Sequence, residues 1–87
     1  MRTLYVGGLA ADASEASLRD VFSRFGRLEA ARVVMRPSTG ECRGFGYVTF
    51  TEELEAKKAM SALNGEEVQG NRWRVSIARG GGNTFPT

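Results

Sequence analysis

The eight residues from Arg43 to Phe50 read RGFGYVTF. In a β-strand successive side chains point to opposite faces, so Phe45, Tyr47 and Thr49 share one face while Gly46, Val48 and Phe50 share the other. Rings stand on both faces, yet a chain of 87 residues is a single small domain with one core. One face of this strand is core. The rings on the other face need a different explanation.

The flanking sequence supplies the rest of the layout. Upstream, Leu4-Tyr5-Val6 reads as a first strand ended by Gly7-Gly8. Ser14 stands where an N-cap belongs, ahead of Leu18, Val21, Phe22 and Phe25 at i, i+3, i+4, i+7, and Gly26 follows at the position of a left-handed stop. Leu28 to Met35 reads as a second strand, with Ala31, Val33 and Met35 on one side and Arg32 and Val34 on the other. Pro37-Ser38-Thr39-Gly40 is a loop by composition. Downstream, Thr51 is the expected N-cap of a second helix with the stripe Ala56, Ala59, Met60 and Leu63, stopped at Asn64-Gly65. A poorly patterned piece around Glu67 to Gly70 then leads into a last strand, Arg72 to Ala78, in which Trp73, Val75 and Ile77 alternate with Arg74 and Ser76.

The order β-α-β-β-α-β predicts an α+β, ferredoxin-like sandwich: a four-stranded antiparallel sheet with two helices on one face. Right-handed crossovers put both helices on the same side. They cover the face carrying Leu4, Val6, Val33, Val48, Phe50, Val75 and Ile77, with Trp73 filling the core. Tyr5, Phe45 and Tyr47 fall on the other face, and the first and third strands are neighbours, so the three rings form one cluster. Residues 1–79 make the domain. Residues 80–87, opening on Gly80-Gly81-Gly82, read as a flexible tail or linker.

Composition narrows the function classes. The chain is 41% hydrophobic and 25% charged, as an ordinary globule is. Its net charge of +2 is too small to argue for a polyanionic partner unaided. Placement says more: Arg32 and Arg74 share the ring-bearing face, Arg43 and Arg79 lie at its edges, and Glu29 and Glu41 dilute them. Rings bordered by guanidiniums suit a single-stranded nucleic acid, whose bases stack for roughly 1–3 kcal/mol each and whose phosphates the arginines neutralise. Gly44 and Gly46 would let a base approach the sheet closely. Arg19, Arg24, Arg27, Lys57 and Lys58 read as a solvated surface.

There is no histidine, so a His-based triad or a His-containing metal site cannot form. Gly44-Phe45-Gly46 lacks the third glycine of a dinucleotide loop, and Gly7 to Ala13 holds no basic residue to cradle an anion. No enzyme, cofactor or metal is expected. Cys42, the only cysteine, reads as a loop residue without a functional thiol. No apolar run reaches the length of a membrane span and no signal-peptide pattern opens the chain. The expectation is therefore an intracellular location, cytoplasmic in a bacterium and nuclear or cytoplasmic in a eukaryote; a monomer is expected as well.

RGFGYVTF resembles the RNP1 signature of the RNA recognition motif, K/R-G-F/Y-G/A-F-V-x-F/Y, with Tyr47 at the fifth position. LYVGGL, Leu4 to Leu9, resembles the partner RNP2 element, with Gly8 where an asparagine is common, a variant similar to hnRNP-type and glycine-rich RNA-binding proteins. The resemblance covers residues 2–79. It implies single-stranded RNA as the partner, although stacking alone also accepts single-stranded DNA. It implies that Tyr5 and Phe45 are the stacking platforms, that Tyr47 packs between sugars or against a further base, and that Arg43 meets phosphate. Arg74, Ser76, Ala78 and Arg79 match the last-strand segment that adds base-edge contacts. The competing expectation is a protein-binding module on the same fold, with the sheet face covered by a partner or a second copy.

Overall fold

The structure is a computed structural model, described here for residues 2–78. Its elements run β1 (Arg2–Gly7), α1 (Glu15–Phe22), β2 (Leu28–Met35), β3 (Cys42–Phe50), α2 (Glu53–Leu63), β4 (Glu67–Val68), β5 (Asn71–Arg72) and β6 (Arg74–Ile77). β2, β3, β1 and β6 lie side by side in that order as one antiparallel sheet, and β4 and β5 form a separate hairpin.

The core lies between one face of the sheet and the two helices. Leu4, Val6, Val48, Phe50 and Val75 come from the strands and Leu18, Phe22, Ala56 and Ala59 from the helices, all buried, while Val33 and Ile77 pack at the margin. Its centre is aromatic. Phe22 stacks on Trp73 with centroids 5.9 Å apart and meets Phe50 edge-on at 6.2 Å. Such pairs contribute about 0.5–1.5 kcal/mol beyond the area they bury. In a domain this small, where one core supplies nearly all the stability, these two contacts tie α1 to β3 and to the residue between β5 and β6.

Several local expectations are corrected. Gly7 belongs to β1, and it is Gly8 that turns the chain, with φ +83° and no room for a Cβ against the Arg72 carbonyl. Ser14 does cap α1, accepting the Ser17 N–H at 3.2 Å. The helix ends at Phe22, however, and Gly26 is not left-handed. Its missing side chain instead makes room for Glu55, which accepts the Arg27 N–H at 3.3 Å. Thr51 does not cap α2. It bonds instead beside the start of β2, donating its N–H to the Arg27 carbonyl at 3.0 Å and its hydroxyl to Glu29 at 3.0 Å. Glu52 occupies the cap without a side-chain bond.

Register shifts between Leu28 and Ala30 and between Val33 and Met35 interrupt the alternation in β2, leaving Met35 44% exposed and out of line with Ala31. Cys42 is not a loop residue: it opens β3, buried, with its sulfur accepting the Gly44 N–H at 3.2 Å. The expected last strand is broken at Trp73, whose N–H goes to the Glu66 carbonyl at 2.9 Å and whose carbonyl takes the Gly65 N–H at 2.8 Å. The β4–β5 hairpin was unreadable because its strands are two residues each, too short for any period. Beyond it, Asn64 Oδ1 accepts the Val75 N–H at 3.1 Å, occupying a donor on the edge strand β6.

Candidate nucleic-acid interface

The register sets the composition of the face opposite the helices. Arg32 on β2 pairs with Tyr47 on β3, Tyr47 with Tyr5 on β1, and Tyr5 with Ser76 on β6. Paired residues share a face, so these four form one row across the whole sheet. The next row is Phe45, Gly7 and Arg74; on the other side lie Ala30, Thr49 and Thr3. The Thr3 and Thr49 hydroxyls are 2.9 Å apart and share a hydrogen bond. Four strands distant in sequence thus bring three rings and two guanidiniums onto one surface.

Tyr5 and Phe45 are half-buried and nearly parallel, with centroids 5.8 Å apart and planes inclined by 28°. Tyr47 stands edge-on to both, at 5.8 Å and 67° to Tyr5 and at 6.2 Å and 87° to Phe45. It is only 6% exposed, more covered than an open platform. That burial, with the Tyr5 phenol beside it, pushes the Tyr47 hydroxyl above its ordinary pKa. Tyr5 and Phe45 are accordingly the two rings with area left to offer.

Arg32, Arg43 and Arg74 are exposed, and none of them forms an ion pair among the described residues. Arg2, by contrast, is held by Glu53 at 2.6 Å. A groove runs along the β2 side of the rings, lined by Arg32, Val33, Arg43, Phe45, Tyr47 and Thr49. Its walls combine flat apolar area with cations that form no ion pair among the described residues. Ser76 is exposed next to Tyr5. Arg79 lies outside the described residues.

One sequence expectation about this surface does not hold. Gly46 pairs with Val6 and Val33 on the helix side, where a Cβ would strike the Arg32 carbonyl, so its glycine serves strand packing and not the approach of a base. Gly44 is required by its φ of +102°. Glu29 accepts the Thr51 hydroxyl at 3.0 Å, a bond to a neutral group that leaves its charge in place. The carboxylate that does line the groove is Glu15, at the start of α1. The loop after β1 brings it there, through the Leu9 N–H to the Gly44 carbonyl at 2.9 Å and the Cys42 N–H to the Ala11 carbonyl at 2.8 Å. No periodicity signals a tertiary contact of that kind. Gly7 was likewise read only as the end of a strand, and it lies in the middle of the ring cluster.

The helix-backed sheet, whose other face carries rings and arginines that no helix or ion pair among the described residues covers, defines a sheet-surface binding module of the RNP type. The chain belongs to the RNA recognition motif family, whose model matches residues 4–74. Among curated relatives it is 43% identical over 75 residues to the mitochondrial glycine-rich RNA-binding protein 2 of Arabidopsis thaliana, covering 86% of this chain and 48% of that protein. It is 43% identical over 76 residues to the small ribosomal subunit protein uS19m of the same plant, covering 87% and 36%. The chain thus spans half or less of the length of these relatives. The crystal structure of RNA binding protein PG1 superposes with a TM-score of 0.86 at 33% identity, covering 90% of this chain and 94% of that one. An Sxl-lethal protein/RNA complex gives 0.85 at 33% identity, covering 94% and 49%.

Proposed function

We propose that this domain binds single-stranded RNA across its sheet, holding about two to four nucleotides. The observation that carries the reading is the pair of half-exposed, nearly parallel rings, Tyr5 and Phe45, flanked by arginines without a carboxylate partner among the described residues. Bases stack on the rings; Arg32, Arg43, Arg74 and Arg79 neutralise phosphates; Ser76 offers a hydroxyl to a base edge; Tyr47 braces the two platforms from the side. Names of relatives and structural neighbours that include RNA binding support the choice of RNA over DNA.

The role is binding without catalysis, by a monomeric domain inside the cell. Among the described residues no group of three potential metal ligands occurs, and no helix is long and apolar enough to cross a membrane. Modest selectivity follows from an interface built on ring faces, because every base has one.

Salt dependence tests the proposal. If three or four of the arginines meet phosphate, log K for a short single-stranded RNA falls against log salt with a slope of roughly −2 to −3. A flat salt profile would show that the arginines are merely solvated. No affinity for single strands at low salt would overturn the reading altogether.

A further inference from the structure

Gly7 lies in the same row as Phe45 and Arg74, with no side chain between them. Tyr5, two residues earlier on the same face, leans into that space. A Cβ added at Gly7 would stand 2.8 Å from the Tyr5 hydroxyl, 3.0 Å from Cε1 and 3.2 Å from Cζ. The first is closer than a real methyl group comes and the other two are tight, so a side chain at position 7 and the outer end of the Tyr5 ring compete for one volume and the ring has to give. Gly7 is buried, and among the described residues it is the ring of Tyr5 that comes within this distance. Its φ lies outside the left-handed region, so the backbone does not call for glycine.

We infer that Gly7 is a positioning residue for the interface: its missing side chain sets the tilt of Tyr5, and with it the near-parallel Tyr5–Phe45 pair. The inference rests on the sheet being the RNA surface. An upright Tyr5, its hydroxyl end pushed off Gly7, would still be a tyrosine on the correct strand and face. It would no longer present its plane alongside that of Phe45, and a base seated on one ring would not align with the next. Any side chain at position 7 therefore acts on RNA through Tyr5, without itself touching the ligand. The fold itself tolerates the change, because the atoms in the way are the far end of one side chain and not backbone.

The test is a cycle of three variants, Gly7→Ala, Tyr5→Ala and the double substitution, each measured for short single-stranded RNA affinity, thermal melting and ring proton shifts. Gly7→Ala is expected to weaken binding about three- to tenfold, part of one stacked base. It should shift the Tyr5 and Phe45 ring protons in the free protein and leave melting within a few degrees of the parent. The double variant should bind no worse than Tyr5→Ala alone, since removing the ring removes what the methyl disturbs. Unchanged ring shifts in Gly7→Ala, or losses that multiply in the double variant, would overturn the inference. If Gly7→Ala lowers stability, the double variant should recover the part due to the clash; no recovery would also count against it. A Tyr5→Ala variant that binds like the parent would sink the sheet reading itself, and this inference with it.

Discussion

At the scale of single residues, the fold separates rings that the sequence places side by side. Phe45 and Phe50 are five positions apart on one strand. One is half-exposed beside Tyr5; the other is fully buried against Phe22. Phe50→Ala is expected to cost about 3–5 kcal/mol, a large share of a small domain's stability. Phe45→Ala should leave thermal melting nearly unchanged and weaken RNA binding about five- to 150-fold. Equal destabilisation by the two would mean that Phe45 is core. Strand parity alone was enough to make this division, because a period of two is unambiguous once one face must be buried. Parity could not foresee how far Tyr47 is covered, since that depends on the orientation of its neighbours.

The pH dependence of Tyr47 belongs to the same scale. Its hydroxyl titrates higher in the folded chain than in the unfolded one, because burial and Tyr5 disfavour the phenolate. Below about pH 10 the group is protonated in both states and its contribution is fully present. As pH rises further the unfolded chain gives up this proton first, so stability falls toward the folded value. Thermal melts between about pH 8 and 11 should show a steeper alkaline loss in the parent than in Tyr47→Phe. Parallel profiles would contradict the burial of the hydroxyl.

At the scale of elements, the two helices start differently, and the difference is testable. α1 has a serine cap that bonds Ser17. α2 begins after Glu52, whose extended backbone (φ −110°, ψ 132°) suits a cap but whose side chain makes no cap bond. Glu52→Asp keeps the charge and shortens the reach to that of a capping residue. It is expected to stabilise the domain by about 1 kcal/mol, raising Tm by roughly 4–8 °C; an unchanged or lower Tm would show that the start of α2 is already satisfied. Thr51 has the chemistry of a cap and was the natural choice from sequence. Its N–H goes instead to the Arg27 carbonyl just beyond the strand ends, a contact between residues 24 positions apart that local pattern cannot report. β1, β3 and both helices carried a clear period and were legible, whereas the shifts in β2 broke its alternation. Trp73 was legible as core, but the break it makes in the last strand was not, because the break depends on Gly65 and Glu66 bonding back to it.

At the scale of the whole molecule, function depends on which face the connections leave bare. Both helices return to the side of Leu4, Val48 and Val75, and the order β2-β3-β1-β6 brings the two ring-bearing segments to the centre of the sheet. The element order and the alternation of β1 and β3 made that arrangement readable. The row Arg32, Tyr47, Tyr5, Ser76 needed the register, which is set by long-range pairing and by shifts in β2 that no single strand encodes. The groove's carboxylate, Glu15, and the space above Gly7 are products of the assembled chain in the same way. The most direct test of the central claim is an NMR titration of the full chain with short single-stranded RNAs. The largest shifts are expected at Tyr5, Arg32, Phe45, Tyr47 and Ser76, with the outer surface of α2 around Leu54, Lys57, Lys58 and Ala62 unmoved. Shifts confined to the helices, with the ring-bearing face silent, would contradict it.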